Sequence, residues 1–235
     1  MLLQQQSPFQ KYSSMTLIKR LGQALDDLGL DFGPSKQTAL IEYLLELEKW
    51  NRTYNLTAVK TVDEMLVQHV FDCLAVIPAL ERYEKQRSLR FGLVADIGSG
   101  AGLPAVVLAI SRPQTIVISV DAVQKKTSFV QNIANRLGLA NLEARHGRVE
   151  RIRDIQADLV ISRAFASLQN FVELAQGLAV KDGVIVAMKS KQLEAELQEL
   201  SKNQSKWHVH QVDELTVPEM QATRCVAWLR RKNNE

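Results

Sequence analysis

The stretch Val94-Ala95-Asp96-Ile97-Gly98-Ser99-Gly100-Ala101-Gly102-Leu103-Pro104 decides the fold. Before it, Gly92-Leu93-Val94-Ala95 is a short apolar run that ends at Asp96, as a buried strand would. After it, Pro104 to Ile110 reads as a buried helix with proline in its first turn, where a missing N–H costs nothing. Strand, glycine turn and helix N-terminus together let a ligand lie against bare backbone. The dinucleotide pattern G-x-G-x-x-G starts correctly at Gly98 and Gly100, but its third glycine would fall on Leu103. What stands here is D-x-G-x-G-x-G, with Asp96 two residues before the first glycine. An acid at that place suits a ligand carrying an ammonium group better than one carrying a pyrophosphate. A βα turn that merely needs glycines would carry the same letters, so the rest of the chain has to decide.

The 235 residues are enough for one α/β domain with an extension, and a hydrophobic fraction of 46% supports a sizeable core. No apolar run reaches the length of a membrane span, and Met1-Leu2-Leu3 gives way at once to glutamines. Cys73 and Cys225 lie far apart without metal-ligand neighbours, the usage expected of reduced cysteines in a cytoplasmic protein. The net charge of +3 permits a nucleic-acid partner without demanding one.

Residues 1–15 are polar, glutamine-rich and expected to fray. From Thr16, Leu17, Ile18, Leu21, Leu25 and Leu28 recur at helical spacing up to Gly29. A second helix is expected after Pro34, capped by Ser35, with Leu40, Ile41, Leu44, Leu45 and Leu47 as its buried stripe. A third opens on the capping box Thr61-Val62-Asp63-Glu64 and continues to Pro78. These elements make an N-terminal helical cap over residues 16–85, with Glu81–Arg90 as a charged linker to an α/β domain over residues 86–235. Between the second and third helices, Trp50 to Val59 reads as a loop dense in hydrogen-bonding groups. It is either a plain Asx-type turn or a presenter of Asn55 and Thr57 to a substrate. His69 and Asp72, three apart on the third helix, share a face.

Beyond the glycine turn, strands and helices alternate. Thr115–Val120 is a strand ending at Asp121, where the hydroxyls of a bound ribose would find an acceptor. A helix from Gln124 to Leu137 with Lys125 and Lys126 in its first turn is closed by Gly138. The strand Leu142–Arg145 leads to a turn around Arg148, near which Arg145, Arg151 and Arg153 also crowd, as a phosphate track or as a mixed solvated surface. Asp158–Ser162 is a strand that ends at Arg163, which needs an anion: a ligand carboxylate, an RNA phosphate or an internal acid. A helix capped by Ser167 and running to Val180, a strand Gly183–Met188 followed by Lys189, a helix from Gln192 to Leu200, and an antiparallel pair Trp207–Leu215 and Arg224–Leu229 complete the chain. The order predicts a mostly parallel seven-stranded sheet covered by helices on both faces.

With those residues in hand, the chain resembles the bacterial RsmG (GidB) family, guanine-N7 methyltransferases of small-subunit ribosomal RNA. The resemblance runs from about Leu40 to the C-terminus. It rests on Trp50-Asn51 with Tyr54-Asn55-Leu56-Thr57, His69 with Asp72, the glycine stretch, Lys125-Lys126 with Phe129, Arg148-Val149-Glu150, and Ile161-Ser162-Arg163-Ala164-Phe165-Ala166. Ala105 and Cys73 depart from it, where the family usually has glycine and serine. The resemblance implies a Rossmann-like class I methyltransferase fold and S-adenosyl-L-methionine as methyl donor. Asp96, Asp121 and the turn residues Ser99 and Gly100 are expected to hold that donor, and the resemblance implies contacts from Gly98, Leu103, Val149, Glu150 and Arg163. It also nominates Asn55, His69, Arg148, Lys189 and Arg224 for the RNA side. The partner implied is 16S ribosomal RNA in the context of the small subunit, with no membrane and no obligate protein partner evident. Guanine N7 has a lone pair and no proton to lose, so the sparse inventory of acid–base residues fits. A nicotinamide oxidoreductase would share the fold but lacks the third glycine, and a non-catalytic RNA-binding module would need only the basic rim and the cap.

Overall fold

The computed structural model describes residues 14–163, 167–190, 193–202 and 206–232. Most of the start expected to fray, Ala164–Ala166 of the Ser-Arg-Ala motif, and Gln192 lie outside them. Seven strands form one sheet: β1 Leu93–Ile97, β2 Ile116–Asp121, β3 Leu142–His146, β4 Ala157–Ser162, β5 Ala179–Ser190, β6 Trp207–Leu215 and β7 Arg224–Arg231. Their order is β3-β2-β1-β4-β5-β7-β6, parallel except that β7 runs antiparallel to both β5 and β6. The order reverses between β1 and β4, which puts a crevice outside the carboxyl ends of those two strands. Beyond that crevice, the carboxyl end of β5 meets the start of β7 at Ser190 and Arg224.

The helices are α1 Ser14–Leu28, α2 Pro34–Tyr54, α3 Val62–Met65, α4 Asp72–Leu74, α5 Ile77–Arg87, α6 Ala105–Ser111, α7 Gln124–Leu137, α8 Leu168–Ala175 and α9 Glu194–Lys202. Leu17, Leu21 and Leu25 of α1, and Leu40, Ile41, Leu44 and Leu47 of α2, are buried in one cluster with Val94, Leu159, Val184 and Trp228 of the sheet. The N-terminal helices and one face of the sheet therefore share a single core. The other face of the sheet is covered by α8 and α9 through Leu168, Phe171 and Leu200.

Several local expectations are corrected. Gly33, not Ser35, is the N-cap of α2, because Pro34 itself occupies the first turn. Leu45 and Ile18 are exposed while Tyr43 is wholly buried. The helix read as ending near Trp50 runs to Tyr54, and Asn55 closes it with a left-handed φ of 48°. The capping box at Thr61 and Glu64 is present, but the helix it opens is broken by a π-helical segment, Leu66–Phe71, before α4. Pro78, read as a helix end, sits in the first turn of α5, and the expected linker Glu81–Arg90 is largely that helix. Glu81, Arg82, Lys85 and Arg87 face solvent and Glu84 pairs with Arg112, while Leu80 and Tyr83 are buried, with Tyr83 stacked on Trp228 at 4.1 Å. Pro104 is the N-cap of α6, one place earlier than expected. The helix capped by Ser167 stops at Ala175, and β5 begins at Ala179, ahead of Gly183.

The last glycine of the turn is held by packing as well as by its backbone. Gly102 has φ +85°, and a Cβ there would stand 2.5 Å from Cγ2 of Val106 and 3.1 Å from Cγ2 of Val130. Gly102→Ala is expected to cost about 2–4 kcal/mol through left-handed strain and overpacking together, read as a lower midpoint in urea unfolding with an unchanged slope.

Candidate active site

At the glycine turn, β1 delivers Asp96 and β2 delivers Asp121. The N–H groups of Gly98 and Ser99 donate to the Val120 carbonyl at 2.8 and 3.1 Å, and the Ser99 hydroxyl meets that of Ser119 at 2.5 Å. Gly98 and Gly100 take φ of 69° and 61°, a conformation in which side chains are strained. Asp121 keeps the turn in shape: one oxygen accepts the Gly100 N–H at 2.9 Å and the other the Val123 N–H at 2.8 Å. From the opposite side, the buried Tyr43 hydroxyl donates to the Ala101 carbonyl at 2.9 Å, and burial pushes that phenol's pKa up. Leu103 is buried in the same core.

Asp96 is the unusual group. It is 0% exposed; Oδ2 accepts the Ala105 N–H at 3.0 Å, while Oδ1 has no hydrogen-bond partner among the described residues. Burial pushes its carboxyl up to about 7, against the Ala105 N–H and the Arg163 charge that hold it down, with Asp121 adding to the rise. A buried carboxylate oxygen without a donor is costly unless something cationic or N–H-bearing meets it.

Past β3, Arg148 precedes a single 3-10 turn, Val149–Arg151; Val149 is buried while Arg148 and Glu150 are exposed. Arg145 pairs with Glu143 at 2.8 Å and Asp154 at 2.6 Å, so part of this surface is of mixed charge. Lys125 reaches across to donate to the Tyr54 carbonyl at 2.7 Å, tying α7 to the end of α2.

Residues far apart in the chain meet in a cleft of about 590 Å³ beside the carboxyl ends of β4 and β5, lined among others by Gln68, His69, Asp72, Arg163, Lys189, Glu196 and Arg224. Asp72 joins them. It is 4% exposed; Oδ2 takes Arg163 at 3.3 Å and Oδ1 takes Arg224 at 3.1 Å. The anion expected for Arg163 is thus first of all an acid of its own chain, and the same guanidinium donates to the Gln68 carbonyl at 2.7 Å. The His69 ring stands between two partners, Nδ1 at 3.3 Å from Arg163 and Nε2 at 2.8 Å from the Thr57 hydroxyl. Because a guanidinium only donates, Nδ1 is the acceptor and the proton sits on Nε2. Burial, and then the Arg163 charge, lower the His69 pKa to about 4, against a hydrogen bond with the Gln68 backbone that raises it. Lys189 pairs with Glu196 at 2.8 Å.

The structure thus brings His69, Lys189, Arg224 and Arg163 together. It leaves Asn55 and Arg148 off the cleft lining, with Asn55 exposed and 3.4 Å from the Lys60 ammonium. Sequence reasoning missed three positions. Asn51 is buried and bridges the loop after α2, donating to the Val59 carbonyl and accepting the Thr57 N–H, both at 2.9 Å. Asp72 was legible only as a neighbour of His69, and Glu196 only as one acid among several on a polar helix.

The histidine geometry fixes a titration. His69 is expected to remain neutral, in the Nε2–H form, down to about pH 4, as read by two-dimensional nitrogen–proton correlation of the imidazoles. Its pKa is lower in the folded protein than in the unfolded chain, so its contribution to stability is complete above about pH 6.5 and is lost as the pH falls through 4. A midpoint near 6.5 would remove the Arg163 contact from solution.

A family model described as rRNA small subunit methyltransferase G, GidB, matches residues 36–227. The chain is 46% identical over 216 residues to the ribosomal RNA small subunit methyltransferase G of Bordetella avium, covering 91% of this chain and 93% of that one. It is 47% identical over 214 residues to that of Bordetella pertussis, with the same coverage, and 42% identical to that of Acidovorax ebreus, covering 93% of this chain and 97% of that one. On the length and identity of these matches, this chain belongs to the rRNA small subunit methyltransferase G family.

Proposed function

We propose that this chain transfers a methyl group from S-adenosylmethionine to N7 of a guanine in 16S ribosomal RNA of the small subunit. The observation that carries the reading is a juxtaposition. A glycine turn that follows the buried, half-satisfied Asp96 adjoins a polar cleft at the carboxyl ends of β4 and β5. Family membership supplies the reaction class, and the relatives' names supply ribosomal RNA.

The residues present fit the donor. Asp96 Oδ1 needs a cationic or N–H partner, which the ammonium of the donor offers. A Cβ at Gly100 would meet nothing within 4 Å, so the turn leaves room beside its backbone. In this reading Gly98, Ser99, Gly100 and Leu103 line the turn, Asp121 takes ribose hydroxyls with its remaining lone pairs, Val149 and Glu150 border the adenine, and Arg163 keeps donors for the carboxylate. When bound, the donor supplies an electrophilic methyl on a sulfonium.

The chain's own task is then positioning. Guanine N7 attacks with a lone pair, so no group has to remove a proton, and the cleft offers no strong base: His69 is held neutral with a pKa near 4, and Arg163 and Arg224 are cations. Aligning nucleophile, methyl and leaving sulfur contributes about 7–11 kcal/mol of the barrier reduction in well-oriented reactions. Arg224, Lys189 and His69 border the base, while Asn55 and the exposed Arg148 meet RNA outside the cleft. The N7 edge of A-form RNA lies in a major groove too deep and narrow for side chains, so the target is a loop, a bulge or a helix opened within the subunit. Among the described residues no helix is long and apolar enough to cross a membrane.

Small ribosomal subunits lacking the modification, incubated with donor labelled in its methyl group, are expected to gain label that maps to a guanine cleavable by reduction and aniline. Label on another atom, or tight NADH binding with no donor binding, would overturn the reading.

Asp96 gives the cofactor claim its own signature. Its carboxyl is raised to about 7, so in the donor-free protein the folded state keeps a proton that the unfolded chain releases near pH 4. This group's contribution to stability therefore falls as the pH rises from about 4 to 7. An ammonium favours the carboxylate, so donor binding is expected to release a proton below about pH 7 and to tighten up to that pH. Calorimetry in buffers of different ionisation enthalpy reads the proton. Asp96→Asn is expected to abolish the release and weaken the donor about tenfold or more.

A further inference from the structure

We propose that Glu196 reads the target base, its carboxylate accepting hydrogen bonds from N1–H and from the exocyclic N2 amino group of the guanine. The inference rests on the guanine-N7 reading above. A guanine that attacks through N7 turns its five-membered ring toward the methyl group and its N1–H and N2 amino group away from it. Those neighbouring groups are the donors of the purine, and a carboxylate oxygen, which only accepts, has the lone pairs to take both.

Among the described residues, two carboxylates line the cleft. Asp72 is buried, with each oxygen taken by a different arginine. Glu196 comes from α9 with 22% of its side chain exposed. Its Oε2 accepts the Leu168 N–H at 2.7 Å and the Lys189 ammonium at 2.8 Å, whereas Oε1 has, among the described residues, one contact at 3.2 Å to the same ammonium. The backbone bond to α8 fixes the carboxylate before substrate arrives, and Oε1 keeps lone pairs for it. An adenine in the same place would set its N1 lone pair against the carboxylate, which repels it.

The chemistry makes this more than recognition. The N7 lone pair forms the bond to the methyl carbon, the carbon–sulfur pair leaves on sulfur, and the base becomes a cation without losing a proton. Its N1–H grows more acidic as that charge develops. The hydrogen bond to Glu196 therefore strengthens toward the transition state, which raises kcat as well as affinity.

The test uses small subunits reconstituted with guanosine or with inosine at the mapped position; inosine keeps N7 and N1–H but lacks the N2 amino group. The wild-type protein is expected to prefer guanosine by about tenfold or more in kcat/KM. Glu196→Gln, the same length with one acceptor fewer, is expected to lower kcat on guanosine by about tenfold or more and to bring the guanosine-to-inosine ratio near one. That ratio does not depend on how much of the variant folds. An unchanged ratio in Glu196→Gln, whatever its rate, or a wild-type protein that treats the two subunits alike, would leave Glu196 as an anchor for Leu168 and Lys189 and overturn the inference with the N7 reading intact. A wild-type protein that methylates no guanine N7 removes that reading itself, and is seen before any variant is made.

Discussion

One buried carboxylate joins the two halves of the cleft. Asp72 sits on a helix far from the sheet in sequence, yet its oxygens bind an arginine at the end of β4 and another at the start of β7. An acid removed from water is stable only when its charge is compensated, and here two guanidinium groups do so. The arginines in turn would repel each other without the acid between them. The arrangement also contributes to the environment of His69, whose ring is kept neutral first by burial and then by the Arg163 guanidinium that its Nδ1 faces. The cleft's shape and its electrostatics both descend from this three-residue charge cluster.

The glycine turn is stabilised on its own terms. Asp121 holds it from the β2 side and Tyr43 from the helical side, so its left-handed residues are fixed by the chain. Only Asp96 is left incomplete, and its isolation raises its proton affinity. The contrast between two acids at neighbouring strand ends, one satisfied twice over and one half satisfied, separates a structural carboxylate from one awaiting a partner.

What was legible in the sequence follows from the range of the forces involved. The glycine turn, the Thr61 capping box, the Ser167 cap and the Gly138 C-cap are set by residues within a few positions of one another, and these are present. The π-helical segment that carries His69 has no local signature, and its extra residue per turn alters what a heptad-like reading puts on one face. The misread linker failed for another reason. Glu81, Arg82, Glu84, Lys85 and Arg87 look like a solvated run, but burial of Tyr83 against Trp228 pulls the segment into a helix. Of the residues the resemblance nominates for the RNA side, His69, Lys189 and Arg224 line the cleft and Asn55 and Arg148 do not, while the Asp72 ion pairs span separations of 91 and 152 residues that no local pattern encodes.

The shared core has a consequence for how anything reaches the cleft. Leu17, Leu40, Leu44 and Leu66 lie in one apolar cluster with Val94, Leu159 and Trp228, so swinging the N-terminal helices outward would expose that cluster to water. Such a hinge would cost a large part of the folding free energy, and domain motion of that kind is confined to smaller or wetter interfaces. The helices are a fixed wall and not a door. For the reaction proposed above, room for the target base has to come from the cleft as it stands, since no swing of these helices enlarges it.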